Sequence, residues 1–147
     1  MKLKSFNLEQ LDLNNQEHKS MLISLFNDSD VLNTLGYMDI LIDEYLDKKL
    51  NFYVLYKNDI KCYIGIILFI SICDSLDIRY GILPNFRGFG YASILLKEVS
   101  DFLKENSDIN TLSLFINPSN IASIKVALNS DFKKNGTVKY LKKLREF

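Results

Sequence analysis

The chain has 147 residues, with 18 basic and 18 acidic side chains and 48% hydrophobic residues. That length suits a single domain, residues 1–147, with a substantial core, and the hydrophobic fraction excludes a disordered chain. Zero net charge gives no electrostatic ground for a nucleic-acid partner.

The opening residues, Met1 to Leu8, lack the continuous apolar core of a signal peptide. The longest apolar run, Cys62 to Cys73 broken by Ser71, falls well short of the roughly 18–20 residues a membrane helix needs. A cytoplasmic protein with no membrane partner is expected.

A first strand is predicted over roughly Leu3 to Leu8. Asn14 and Asn15 then offer N-cap chemistry for a helix over Glu17–Phe26, where Met21, Leu22, Leu25 and Phe26 recur at helical spacing. Asn27 to Asp30 reads as a loop and Gly36 breaks the stretch Val31–Tyr37. Asp39–Leu50 is predicted as a second helix, with Met38, Leu41, Ile42, Tyr45 and Leu46 on one face. Asp28, Asp30, Asp39, Asp43, Glu44 and Asp47 make this region acidic, as a solvated face or as an attraction for a cationic amine.

Phe52–Tyr56 and Ile64–Ile72 form a predicted hairpin about Lys57-Asn58-Asp59. The second strand is nearly all apolar, as a strand covered on both faces should be. Gly65 within it marks a bulge or a close approach by another backbone. Cys62 and Cys73, at its borders, read as buried thiols acting as small hydrophobes. With His18 the only histidine, no metal-ligand spacing exists and no metal is expected.

After a turn at Asp74-Ser75, Leu76–Ile82 is a strand ending before Pro84. A helix follows, with Ala92, Leu95, Leu96, Val99, Phe102 and Leu103 on one face, and ends near Asn106. Thr111–Ile116 is a strand that should pair in parallel with Leu76–Ile82 through a right-handed crossover. Ser119 or Asn120 can cap the next helix, whose inner stripe is read as Ile121, Ile124 and Leu128. Phe132 opens a final strand pair turning at Asn135-Gly136, with Thr137–Leu144 as the last strand. Its basic residues, Lys133, Lys134, Lys139, Lys142, Lys143 and Arg145, read as a solvated edge hairpin.

The chemistry centres on Arg87-Gly88-Phe89-Gly90-Tyr91-Ala92, a glycine turn opening onto a helix. Such a turn aims backbone N–H groups at an anion, most naturally a phosphate. A nucleotide P-loop is excluded because no Gly-Lys-Ser/Thr follows. A dinucleotide fingerprint would read Gly88-x-Gly90-x-x-Ser93, which lacks the third glycine and a strand-end acid downstream. A third reading is that Arg87-x-x-Gly90-x-Ala92 resembles the pyrophosphate turn of acyl-CoA-dependent N-acyltransferases.

The segment Asp77 to Ala92 resembles the GNAT superfamily of N-acetyltransferases, most closely its ribosomal-protein N-terminal acetyltransferase branch. Asn117-Pro118-Ser119-Asn120-Ile121-Ala122-Ser123 resembles that branch's Asn-x-x-Ser signature, and Asp131-Phe132 stands where the family usually has Gly-Phe. The resemblance implies a mixed α+β (α/β) fold with a mostly antiparallel central sheet of six to seven strands and helices on both faces. The expected element order is β-α-α-β-β-β-α-β-α-β-β. It also implies acetyl-CoA as cosubstrate, held by the backbone of Arg87, Gly88, Phe89, Gly90, Tyr91 and Ala92 at the pyrophosphate. Side chains at Gly88 and Gly90 would block that approach. Ile82 and Leu83 would pair with the pantetheine arm, and Asn120 and Ser123 would contact the cofactor.

Transfer to an amine requires a neutral nitrogen, whereas an alkyl ammonium has a pKa of about 10.4. Asp77 matches the family's carboxylate position and would take the proton, directly or through water; a structural pairing with Arg79 is the alternative. A backbone N–H near Ile82 would hold the oxyanion. The family's frequent acid, a Tyr in the last helix, corresponds to Ala127, which leaves Ser123 or water to protonate the thiolate. The implied function is N-acetyl transfer to a primary amine: a protein N-terminus, a polyamine or a small molecule. A non-catalytic acyl-CoA-binding sensor is the alternative. The acceptor pocket would draw on Val31–Tyr37, Asp39–Leu50 and the hairpin ending in Lys139–Leu144, in a monomer or homodimer.

Overall fold

Seven strands and three helices form within residues 1–26 and 51–145, the parts of the chain that the computed structural model describes. In chain order these are β1 (Phe6–Gln10), α1 (Gln16–Phe26), β2 (Asn51–Lys57), β3 (Cys62–Ile72), β4 (Ser75–Ile82), α2 (Tyr91–Asn106), β5 (Thr111–Phe115), α3 (Ile121–Asn129), β6 (Lys133–Lys134) and β7 (Lys139–Lys143). The strands are hydrogen-bonded neighbours in the order β1-β2-β3-β4-β5-β7-β6, a mixed and mostly antiparallel sheet. The predicted Asp39–Leu50 helix, the Val31–Tyr37 stretch and the acidic residues from Asp28 to Asp47 lie outside the described residues. The described residues gather into two compact units, the first Met1–Phe69 with Arg79–Phe89, the second Ile70–Ile78 with Gly90–Phe147.

In the first unit, β1 begins later than predicted. The Leu3 N–H donates to the Phe6 carbonyl at 2.8 Å and Leu8 N–H to the Met1 carbonyl at 2.8 Å. Residues 1–5 therefore fold back on β1 instead of opening it. Asn15 caps α1 as expected, its Oδ1 accepting from the N–H groups of Glu17 at 2.9 Å and His18 at 3.2 Å. The helix buries Met21, Leu22 and Leu25 against Leu11, Phe52, Val54, Ile66 and Leu68. β3 is continuously buried from Ile64 to Phe69, as its third place in the sheet demands.

Gly65 satisfies both readings of its sequence. The β2–β3 register passes from Leu55↔Gly65 to Tyr56↔Tyr63, so Ile64 is an extra residue on β3. A Cβ at Gly65 would also fall 2.0 Å from the carbonyl oxygen of Gly81. The freed Ile64 carbonyl accepts the Leu83 N–H at 2.8 Å.

His18 is buried and fully engaged in this unit. Its Nδ1 accepts the Asp12 N–H at 3.1 Å and its Nε2 lies 3.4 Å from Glu9 Oε1. The Tyr63 hydroxyl donates to the same Glu9 oxygen at 2.7 Å. The set ties β1, α1 and β3 together and is structural.

In the second unit, β4 and β5 pair in parallel through Ser75↔Thr111, Leu76↔Leu112 and Asp77↔Ser113. β5 then pairs with β7, and β7 with β6, both antiparallel. Helix α2 buries Leu95, Leu96, Val99 and Leu103 of the predicted stripe and leaves Ala92 and Phe102 half-buried. Its C-terminal carbonyls at Lys104 and Ser107, and that of Ile109, accept the Arg145 guanidinium.

Several expectations are corrected here. Cys73 is exposed and Cys62 half-buried, both free. Cys73 falls in the turn between β3 and β4, at a φ of 55°, where the chain leaves the core. Ile121 and Leu128 are 63% and 52% exposed, while Ala127 is fully buried. The inner face of α3 runs through Ile124, Ala127 and the capping Ser130, one residue round from the predicted stripe. The last turn is wider than an Asn-Gly pair: residues 135–138 separate β6 from β7, closed by Asn135 N–H to the Lys139 carbonyl at 2.7 Å. Two members of the basic tail are not simply solvated. Arg145 caps α2, and Lys142 is half-buried with its Nζ 5.9 Å from the Phe132 ring centre. Burial holds the Lys142 amine below the ordinary lysine range, aided by Lys97 and opposed by Asp131 and Asp101.

Candidate functional site

Pro84 stops β4 and opens a single 3-10 turn, Pro84–Phe86, in which Phe86 N–H donates to the Leu83 carbonyl at 2.9 Å. The Arg87 side chain fastens this turn, its Nε donating to the Ile82 carbonyl at 3.0 Å. The Leu83 N–H is committed to Ile64, on the β3 side. By strand alternation the Ile82 backbone groups face the opposite side.

Gly88 and Gly90 then take φ values of 82° and 78°. A Cβ at either meets nothing within 4 Å, so within the protein the glycines answer to backbone conformation and leave open space above the turn. Phe89 between them is 65% exposed.

Gly90 is the N-cap of α2 and carries no side chain to cap it. The first turn of α2 holds no acidic residue, and Ile94 N–H, bonded to the Gly90 carbonyl at 3.2 Å, begins the helical ladder. The helix dipole adds partial positive charge at this end. This is the local chemistry of an anion-binding helix end.

Asn120 is the N-cap of α3, its Oδ1 accepting the Ser123 N–H at 3.1 Å. Upstream, Asn117 Oδ1 accepts from both the N–H and the hydroxyl of Ser119, at 3.0 and 2.9 Å, and shapes the entry. Ser123 lies within the first turn of α3 and is half-buried. Asn120 and Ser123 are thus brought together by the cap itself.

The far end of α3 explains a departure noted in the sequence. Asp131 adopts φ 69°, Phe132 N–H donates to the Ala127 carbonyl at 3.0 Å, and Asp131 N–H to the Leu128 carbonyl at 3.3 Å. This is a Schellman closure, in which the left-handed position suits glycine best. Ala127, one turn earlier, is fully enclosed and offers no polar group.

Asp77 sits on β4 at 3% exposure, and its Oδ1 accepts the Ser113 hydroxyl at 3.2 Å. Ser113 was missed in the sequence. Its only signal there is a small polar residue between Leu112 and Leu114, in a strand predicted to run parallel to the one carrying Asp77. Among the described residues no cluster of His, Cys, Asp and Glu could hold a metal ion, and no helix is long and apolar enough to cross a membrane.

Comparison with known proteins gives a match over residues 10–133 to the family model described as an acetyltransferase (GNAT) domain. No curated protein matches the chain. Among solved structures, an acetyltransferase of the GNAT family from Bacillus anthracis superposes with a TM-score of 0.79 at 13% identity, covering 99% of both chains. The ribosomal alpha-N-protein acetyltransferase RimL in complex with coenzyme A gives 0.74 at 16% identity, covering 95% of this chain and 94% of that one. A spermidine N-acetyltransferase from Vibrio cholerae, with CoA and spermine, gives 0.70 at 16% identity over 95% and 93%. At these identities the likeness is one of fold.

Proposed function

The chain belongs to the GNAT acetyltransferase family, matched over residues 10–133, and from that premise we propose that it moves an acetyl group from acetyl-CoA to a primary amine. The observation that carries this reading is the α2 N-terminus behind two left-handed glycines, with no side chain at its N-cap and open space above the turn. In this reading one acyltransferase domain acts in the cytoplasm, as a monomer or homodimer. The backbone from Arg87 through Ala92 holds the CoA pyrophosphate. The backbone of Ile82 and Leu83 runs beside the pantetheine; the Leu83 N–H and carbonyl are already bonded to Ile64 and Phe86, so the Ile82 N–H is the group turned to the arm. Asn120 reaches the cofactor with the amide end opposite its capping oxygen, and Ser123 stands one turn on.

The acceptor enters as an ammonium and passes a proton to Asp77, directly or through water. The nitrogen lone pair attacks the thioester carbonyl, and a backbone N–H near Ile82 steadies the oxyanion. The C–N bond forms, the C–S bond breaks, the thiolate takes a proton from Ser123 or water, and the second proton shed by the acylated nitrogen returns to that donor through water. The amine class extends over protein N-termini, polyamines and small molecules. RimL and the spermidine N-acetyltransferase represent two of these among the fold relatives.

The enclosed, non-polar Ala127 favours one competing reading, an acyl-CoA sensor without turnover. Thiol release from acetyl-CoA, measured across a peptide N-terminus, spermine and kanamycin, separates the two. Release above background with any of these amines is expected. Acetyl-CoA binding with no release for every amine overturns transfer in favour of the sensor.

A further inference from the structure

We propose that Ser113 is a positioning residue for acetyl transfer, holding the Asp77 carboxylate ionised and in one orientation to receive the acceptor's proton. The proposal rests on the transfer reading above for its catalytic consequence, but its physical core does not.

That core is a pair of buried polar side chains. Asp77 and Ser113 face each other in register across the parallel β4–β5 ladder, both buried. By strand alternation Ser75 and Arg79 share the Asp77 face of β4, and Thr111 and Phe115 the Ser113 face of β5, none of them fully buried. A carboxyl at 3% exposure loses the water that favours its charged form. A hydroxyl donor opposes that loss, because a hydrogen bond to the ionised form makes protonation less favourable. The Ser113 hydroxyl, 3.2 Å from Oδ1, is such a donor. It also restricts rotation of the carboxylate plane, since leaving Oδ1 would leave a buried hydroxyl unpaired.

Position decides the rest. Residues in register on adjacent strands project from the same side of the sheet, so a short side chain at 113 reaches a carboxylate at 77 without bending either strand. Alanine at 113 removes the donor and nearly nothing else. Threonine keeps it at the cost of one methyl group.

The test uses the full chain and two readouts. First, the Asp77 carboxyl is titrated by NMR with 13C-labelled aspartate, its resonance identified by its loss in Asp77→Asn. Ser113→Ala should raise the midpoint by about one pH unit, and Ser113→Thr should restore it. Second, kcat/KM is followed against pH with acetyl-CoA and spermine, or whichever amine of the panel above releases thiol. The acid limb should move up with the carboxyl midpoint, and return in Ser113→Thr. An unmoved midpoint in Ser113→Ala overturns the proposal outright. A midpoint that moves while the acid limb stays overturns the link to catalysis. A wild-type protein that releases no thiol with any amine instead sinks the transfer reading, while the titration still decides whether Ser113 governs the carboxyl.

Discussion

The carbonyl oxygen of Gly81 stands 2.0 Å from where a Cβ on Gly65 would lie. Two adjacent strands thus touch backbone to backbone just before the turn that leads to α2. Gly65→Ala must push Gly81 and Ile82 aside, since the obstruction is main chain and not a flexible side chain. The expected loss of stability is about 3 kcal/mol, at the upper end for overpacking, read from the denaturant midpoint.

Gly90 presents the opposite case. Nothing in the protein opposes a Cβ there, so the cost of Gly90→Val to the fold is the left-handed backbone, about 1–2 kcal/mol. Coenzyme A binding should be lost by calorimetry while circular dichroism stays native. Retained binding would remove the turn from the cofactor site.

Asp77→Asn keeps the shape of the carboxyl and removes its charge. Turnover should fall by about 10²-fold or more, the range for a general base, with CoA affinity little changed. Steady-state kinetics with a paired CoA titration check this. Unchanged turnover across pH takes Asp77 out of the reaction.

Tyr63 gives a pH signature of its own. Burial raises its phenol above the ordinary tyrosine value, and the Glu9 hydrogen bond and charge add to the shift. A pKa raised in the folded state means stability that is in place below about pH 10 and lost as pH climbs above it. Tyr63→Phe should cost about 1 kcal/mol at neutral pH through the lost bond to Glu9. Thermal melts from pH 8 to 11 should then show a flatter alkaline decline in the variant than in the wild type.

Asp131 occupies a left-handed position at the end of α3, at φ 69°. Asp131→Gly should stabilise the protein by about 1 kcal/mol by relieving that conformation. A lowered melting temperature would show that the Asp131 side chain contributes more than its backbone costs.

The sequence spoke clearly where one residue type has one physical use. Asn15 and Asn120 announced helix starts, Gly88 and Gly90 a left-handed turn, and Gly65 both a bulge and a close approach. It misled where a choice depended on distant partners. The apolar trio Ile121, Ile124 and Leu128 has perfect helical spacing, yet the buried face of α3 follows the Schellman end, which draws Ala127 inward. Leu3 looked like strand, but local hydrogen bonds from residues 1–8 turned the chain back first. Cys73 shared its apolar run with β3 and still fell in the exposed turn. Asp77 was visible as chemistry, whereas Ser113 was not, because only strand register gives an ordinary serine its partner.

That register has a kinetic side. Asp77 and Ser113 are 36 residues apart, joined through a helix and not a tight turn. Hairpins close in microseconds over short loops, whereas a parallel pairing waits on the closure of a long one and its entropy. The carboxylate is therefore expected to meet its hydroxyl after the hairpin β3–β4 and α2 have formed. In a refolding experiment, recovery of turnover should trail recovery of helix and hairpin signals.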